Sequence, residues 1–347
     1  AFVPIMIGVV KSSGMAALMG SVIVAGIFHA ILGSFIGRIR HWFPPLVSGM
    51  VITTIGLYLI PVGIRYAAGG AADFQINNPN WGDFSHWSLA LVVIIVALGC
   101  KFFTRGLTSS AAVLIGLFAG YLVGIATGAV NFGSVGKAAW FAFPMPLKYG
   151  LEFNIAAIIG MCLISIVSAI ETVGDISAIA KGGAGRESTD KELAGGTYAD
   201  GLGSALAGIF GGLPNTSFSQ NVGIVSMTGV MSRGVVTIGA IFLIICGFIP
   251  KIGAVVSSMP IEVLGGGVIL MFGMVVSAGV SMLSTVEWSR RNMMILATSM
   301  SVGLGLQAVP KSMQHLPDTL GMLMTSGLLP VAVLAVVMNL LLPADAD

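Results

Sequence analysis

Three carboxylates stand where a span of apolar residues would seldom put them. Glu171 and Asp175 sit in ISIVSAIETVGDISAIA, four residues apart and so on one face of a helix. Asp200 lies in GGTYADGLGSALAGIFGG, whose small residues let a helix approach a neighbour closely. An ionised carboxylate inside a membrane span costs several kcal/mol, so such residues usually face a cavity and mark the path of an ion or a polar solute. A carboxyl held there can take up and release a proton through a working cycle. The competing role is a plain hydrogen bond between helices, and it weighs more for Asp175 and Asp200 than for Glu171.

A second group follows in FSQNVGIVSMTG, which carries Gln220, Asn221, Gly223, Thr228 and Gly229. Leu213-Pro214-Asn215 just before it breaks any helix. An extended stretch over Asn215 to Gln220, then a helix from about Asn221, fits these residues. That helix start would offer free N–H groups and a positive dipole end at membrane depth. Gln220 brings two donors and an acceptor. An amide beside a carboxylate can read the donor–acceptor edge of a planar heterocycle; the plain alternative is a polar contact between helices. His29, in AGIFHAILG, reads as a packing or interhelical hydrogen-bond residue before it reads as a proton relay. His41, His86 and His315 fall near loop boundaries and receive no role.

The elements that must position these groups are set by composition. The chain has 347 residues, 56% hydrophobic and 9% charged, with mean hydropathy +0.99. A soluble domain carries roughly 25% charged residues, and a chain this apolar could not cover a water-facing surface with polar groups. Lipid is the remaining solvent. The 48 glycines fit closely packed transmembrane helices. A net charge of +2 gives no nucleic-acid footprint. Cys100, Cys162 and Cys246 share no metal spacing and read as small hydrophobes. No metal site or cofactor is expected. The chain opens with AFVPIMIGVV, without Met or a signal peptide, and reads as a fragment lacking its N-terminal part.

Continuous apolar spans are expected near 15–37, 44–64, 87–103, 110–128, 155–180, 194–211, 235–250, 261–282, 293–309 and 320–342. Residues 1–10 and 214–231 are odd, broken elements, which makes twelve. Numbering them in order, the loops after even-numbered elements carry Arg38, Arg40, Lys101, Arg105, Lys181, Arg186, Lys191, Arg233, Arg290 and Arg291, ten of the sixteen basic residues. By the positive-inside rule those loops, and the C-terminus, are cytoplasmic. There is a faint internal repeat. Residues 36–56 and 249–273 each place a basic residue and Ile after one span, then Pro, Val and Gly entering the next. In both, an interrupted element precedes the first span, and broken elements at matching positions of two halves point to a transporter's binding site.

On these residues the chain resembles the nucleobase–ascorbate transporter family. QNVGIVSMTG matches the family signature at every fixed position: Gln220, Asn221, Gly223, Thr228 and Gly229. AIETVGDISA resembles the family's eighth span, GGTYADGLGSALAGIFGGLPNTSFSQN its ninth running into its tenth, and AFVPIMIG the end of the short strand in its third. The resemblance covers the whole chain, as spans 3 to 14 of fourteen. It implies an all-α polytopic fold of two inverted repeats of seven spans. Two half-broken spans would contain short antiparallel strands. A core subdomain would take residues 1–42 and 150–258, and a gate subdomain 43–149 and 259–347. The first two spans being absent, the visible chain alone is not expected to transport.

The resemblance also assigns roles. Glu171 is the carboxylate that binds the base, with Gln220, Asn221 and Ser219 as further substrate contacts. Gln at position 220 goes with xanthine and uric acid carriers, where Glu goes with uracil and Pro with ascorbate. Glu171, Asp175 and Asp200 serve proton coupling. The function implied is proton-coupled uptake of a purine nucleobase, xanthine first, by a homodimeric permease of the bacterial inner membrane, moving its core against its gate like an elevator. The rivals are a uric acid or uracil carrier, an anion transporter of the same fold, and a channel. Glu171 argues against the anion carrier, and the small number of spans with polar residues at depth against the channel. Nothing resembles a nucleophile–base pair, so no enzyme is expected.

Overall fold

The computed structural model of the chain describes residues 2–39, 42–70, 73–74, 76, 78–218, 221–222, 225 and 229–343. Among them every regular element is helical and no strand occurs. The short strands expected from the resemblance are therefore not seen in the described parts of 1–10 and 214–231. The main helices are α1 (Val3–Gly33), α2 (Pro45–Ala67), α3 (Phe84–Phe103), α4 (Ala112–Ala126), α5 (Ile155–Ala184) and α6 (Asp190–Ile209). Then come α7 (Arg233–Gly247), α8 (Pro250–Ser257), α9 (Ile261–Leu283), α10 (Arg290–Ala308), α11 (Asp318–Thr325) and α12 (Leu328–Leu341).

Five described helices are long and apolar enough to cross a bilayer, or six if the bent pair α7–α8 counts as one. This is fewer than the ten continuous spans expected, for local reasons. α1 includes residues 3–10 and turns at Gly14, whose φ of +83° only glycine adopts without strain, so the odd first element and the span after it meet there. The 235–250 span stops at Gly247, and Pro250 starts α8 at 87° to it, a first-turn position that proline suits. The 320–342 span breaks at Gly327, φ +73°. α4 and α12, with 15 and 14 residues, reach only about 22 Å at 1.5 Å per residue. α6 and α10 carry too many glycines and polar residues to pass on hydropathy.

The chain divides into two compact units. The first takes residues 1–58, 145–231 and 275–347. Its centre is α1 against α5 and α6, and glycine sets the approach. A Cβ on Gly26 would fall 2.5 Å from the Ala205 nitrogen of α6, and one on Gly201 would run into the Ala30 backbone of α1. Ile36, Val173 and Leu193 close the apolar core at one end. α5 starts on Asn154, whose side chain accepts from the Ala157 N–H, and ends on Gly185 in the left-handed region. α6 starts in a capping box: Thr189 accepts from the Glu192 N–H, and Glu192 accepts from the Thr189 N–H. Arg186 grips the same Glu192 with two nitrogens, which holds that exposed carboxyl far below the usual range. In α10, Arg291 donates to the Leu342 and Asn339 carbonyls at the end of α12.

The second unit takes residues 59–144 and 232–274. α4 lies on α3 through Gly116, where a Cβ would sit 2.6 Å from the Val93 carbonyl, and Gly266 of α9 sits equally close to the Ala90 carbonyl of α3. Leu89, Val93 and Val263 form its core. His86 Nδ1 meets Glu262 Oε1 at 2.7 Å, between the first turns of α3 and α9. The sequence reading left His86 without a role; in the fold Glu262 is its partner. α7 buries none of its residues.

Candidate functional site

The polar site lies in the first unit, on the face of α5 that carries residues 168, 171, 172 and 175. These positions recur at three- and four-residue spacing, so one helical stripe carries two carboxylates and two hydroxyls. Glu171 is 5% exposed and Asp175 2%. Ser168 and Thr172 are fully buried, and Asp200 faces the stripe half-buried from α6. Helix geometry alone brings Glu171 and Asp175 together; the glycine-rich packing of α6 adds Asp200.

What grips them is the non-helical stretch that leaves α6. Pro214 has no N–H to continue a helix, and residues 212–218 run without regular structure. Ser204 on α6 anchors this stretch at Asn215, accepting from its N–H at 2.8 Å and donating to its carbonyl at 3.3 Å. The next two residues then reach the acids. Thr216 donates to Glu171 Oε2 at 3.4 Å and pairs with the Ser168 hydroxyl at 3.0 Å. The Ser217 hydroxyl donates to Asp175 Oδ2 at 2.5 Å. Thr172 completes the set with a 2.5 Å bond to Asp200 Oδ2. A two-residue piece of chain thus holds Glu171 and Asp175, and Thr172 on α5 holds Asp200.

The stretch leads into the motif. Asn221, Val222 and Val225 are helical, and the Gly229 N–H donates to the Val225 carbonyl at 2.8 Å, Gly229 itself standing at φ +68°. Asn221 is exposed. Ser219, Gln220, Gly223 and Thr228, all singled out from the sequence, lie outside the described residues. Sequence reasoning missed Thr216, Ser217, Thr172, Ser168 and Ser204. A signal existed: short hydroxyl residues directly upstream of the motif, and hydroxyls three or four residues from each acid. Serine and threonine are too common in helices for that signal to stand out.

Elsewhere, His29 is buried in α1 with no hydrogen-bond partner on either ring nitrogen. The three cysteines are half-buried and unpaired. Among the described residues no group of three His, Cys, Asp or Glu side chains could hold a metal ion.

The family model described as Permease family (Xan_ur_permease) matches residues 1–312. The chain belongs to this permease family, the nucleobase–ascorbate transporters. A putative purine permease of Clostridium perfringens is 39% identical over 341 residues, 98% of this chain and 74% of the relative. The xanthine permease of Bacillus subtilis is 36% identical, covering 96% of this permease and 76% of its own length. The uric acid transporter UacT of Escherichia coli is 37% identical, covering 96% and 69%. Among solved structures, the transmembrane domain of the cyanobacterial bicarbonate transporter BicA superposes with a TM-score of 0.55 at 16% identity, over 97% of this chain and 80% of that one. That likeness shows the fold alone. The permease is a multi-pass membrane protein and a transporter rather than an enzyme.

Proposed function

We propose that this permease carries a purine nucleobase, xanthine first, together with protons. The observation that carries the reading is Glu171: a buried carboxylate on α5, held by a hydroxyl from the chain segment that runs into the Gln220-Asn221 motif. A carboxylate only accepts hydrogen bonds, so it suits a ring face that presents N–H donors. Gln220 can donate and accept at once, which suits a ring edge of alternating carbonyl and N–H. Ser219 and Asn221 stand beside it as further contacts. Oxidised purines present both kinds of edge, and the relatives named for xanthine and uric acid support the same class. The alternatives are uric acid and the pyrimidine uracil.

Asp175 and Asp200 take the proton side. Asp175 is bonded to Ser217 and Asp200 to Thr172, so a proton arriving at either alters the hydrogen bonding beside Glu171. Transport then follows from a core formed by residues 1–42 and 150–258 moving against a gate formed by 43–149 and 259–347, in a homodimer of the bacterial inner membrane with a cytoplasmic C-terminus. Pairing of α3 with α4 and of α10 with α12, each through glycine, supports the two-repeat plan of seven spans each. The decisive experiment is uptake of radiolabelled xanthine by cells expressing the full-length protein, with a panel of competing purines and pyrimidines. A protonophore should collapse accumulation, and replacing Na+ should not. Accumulation that follows the Na+ gradient would remove the proton from this reading, and failure of every nucleobase to compete would remove the substrate.

A further inference from the structure

Thr172 has one hydroxyl proton and faces two acceptors. Its Oγ1 lies 3.0 Å from the Ser168 carbonyl, one turn back on α5, and 2.5 Å from Asp200 Oδ2 on α6. A hydroxyl donates once and accepts through two lone pairs, so it cannot donate to both. Thr172 is 1% exposed and Ser168 fully buried, so bulk water does not stand in for either partner. Two arrangements are open to the hydroxyl. With Asp200 ionised, Thr172 points its proton at the carboxylate. With Asp200 protonated, the carboxyl O–H donates to Thr172, whose own proton swings to the Ser168 carbonyl.

We propose that Thr172 is a positioning residue, a hydroxyl rotor whose direction follows the protonation of Asp200 and passes that state to Ser168. Ser168 then connects the two halves of the site. Its carbonyl faces Thr172, while its hydroxyl pairs with Thr216, the residue that holds Glu171. No covalent bond of threonine breaks. The proton arrives on Asp200 from the aqueous side, and the Thr172 O–H turns about its C–O bond. The ionisable groups on the elements around Asp200 are Cys162, Glu171, Asp175 and Lys181 on α5, His29 and Lys11 on α1, Arg38 on the short helix Ile36–Ile39, and Asp190, Lys191, Glu192 and Tyr198 on α6 itself; residues 212–218 supply none.

The inference rests on the reading that Asp200 exchanges a proton during transport. It is tested by xanthine exchange in proteoliposomes of the full-length protein, with equal pH on both sides. Thr172→Val keeps the shape and removes the hydroxyl, so the ionised Asp200 loses a donor and its protonated form is favoured. The pH profile of exchange should move toward higher pH by about one unit, a tenfold change in proton affinity. Thr172→Ser should restore the wild-type profile. Should the valine variant not reach the membrane, Thr172→Ala carries the same expectation without added bulk. A valine or alanine profile that coincides with wild type, or a serine variant displaced as far as they are, overturns the inference. Asp200→Asn separates it from the reading beneath it. If that variant keeps the wild-type pH profile, Asp200 is no proton site; if it flattens the profile while Thr172→Val leaves it in place, the rotor alone is wrong.

Discussion

The two compact units use the same device to pack helices and hold different things at depth. In the first, α1 meets α6 where Gly26 and Gly201 let the backbones close; in the second, α4 meets α3 at Gly116, and α9 meets α3 at Gly266. Small residues drive this approach because, in lipid, apolar surface alone brings no gain from association. At the polar groups the likeness ends. The first unit carries Glu171, Asp175 and Asp200 along the middle of two helices, each bonded to a hydroxyl. The principal charged contact in the second is His86–Glu262, at the first turns of α3 and α9 and partly open to solvent. One unit has the packing of a scaffold; the other has that packing and a costly polar centre as well. Polar groups at such depth are costly, and that cost is the ground on which transport is proposed to rest on the first unit.

The largest test of that contrast is Glu171→Gln. It keeps size and burial but removes the charge, and uptake should vanish while the protein still reaches the membrane. Uptake at the wild-type rate would make Glu171 a structural residue and erase the difference between the units.

Packing should fail alike in both. Gly201→Leu drives a side chain into the Ala30 backbone, and Gly116→Leu into the Val93 carbonyl. Neither obstacle is a flexible side-chain end, so each should cost about 3 kcal/mol or more. Thermal unfolding of the detergent-purified variants, followed by size-exclusion chromatography, measures this. A harmless Gly116→Leu beside a ruinous Gly201→Leu would show that the second unit is not built the same way.

Gln220→Glu sharpens the comparison on the substrate side. It preserves size and removes the donor, so an acceptor on the base is left facing an acceptor. A buried polar group without a partner costs about 1–3 kcal/mol, roughly tenfold to a hundredfold in affinity. Competition by xanthine and its 1-, 3-, 7- and 8-methyl derivatives should show weaker xanthine binding, by about tenfold or more, and an altered order of the analogues. An unchanged order and affinity would mean that Gln220 does not touch the base.

The smallest effect should come from Glu262→Gln in the second unit. His86 and Glu262 are 26% and 12% exposed, and a partly exposed pair contributes about 1 kcal/mol or less. Uptake should persist, with a small drop in thermal stability. Loss of transport there would give the second unit a polar function after all.

Much of this was written in the chain itself. Membrane residence follows from the scarcity of charge, because no arrangement of these residues could face water on all sides. Glu171 and Asp175 had to share a face once their segment was helical, since a spacing of four is nearly one turn. The break before the motif follows from Pro214. The family follows from Gln220, Asn221, Gly223, Thr228 and Gly229. Sequence alone led to more long continuous helices than the fold shows, because apolar length does not reveal a turn at Gly327 or before Pro250; a backbone turn is set by φ and by what packs beside it. Nor could sequence join Asp200 to Thr172, Thr216 to Glu171 and Ser168, or Ser217 to Asp175. Those bonds run between residues 28 to 48 positions apart. A hydroxyl finds its partner through the close approach of α1, α5 and α6, which glycine permits and only the folded arrangement decides.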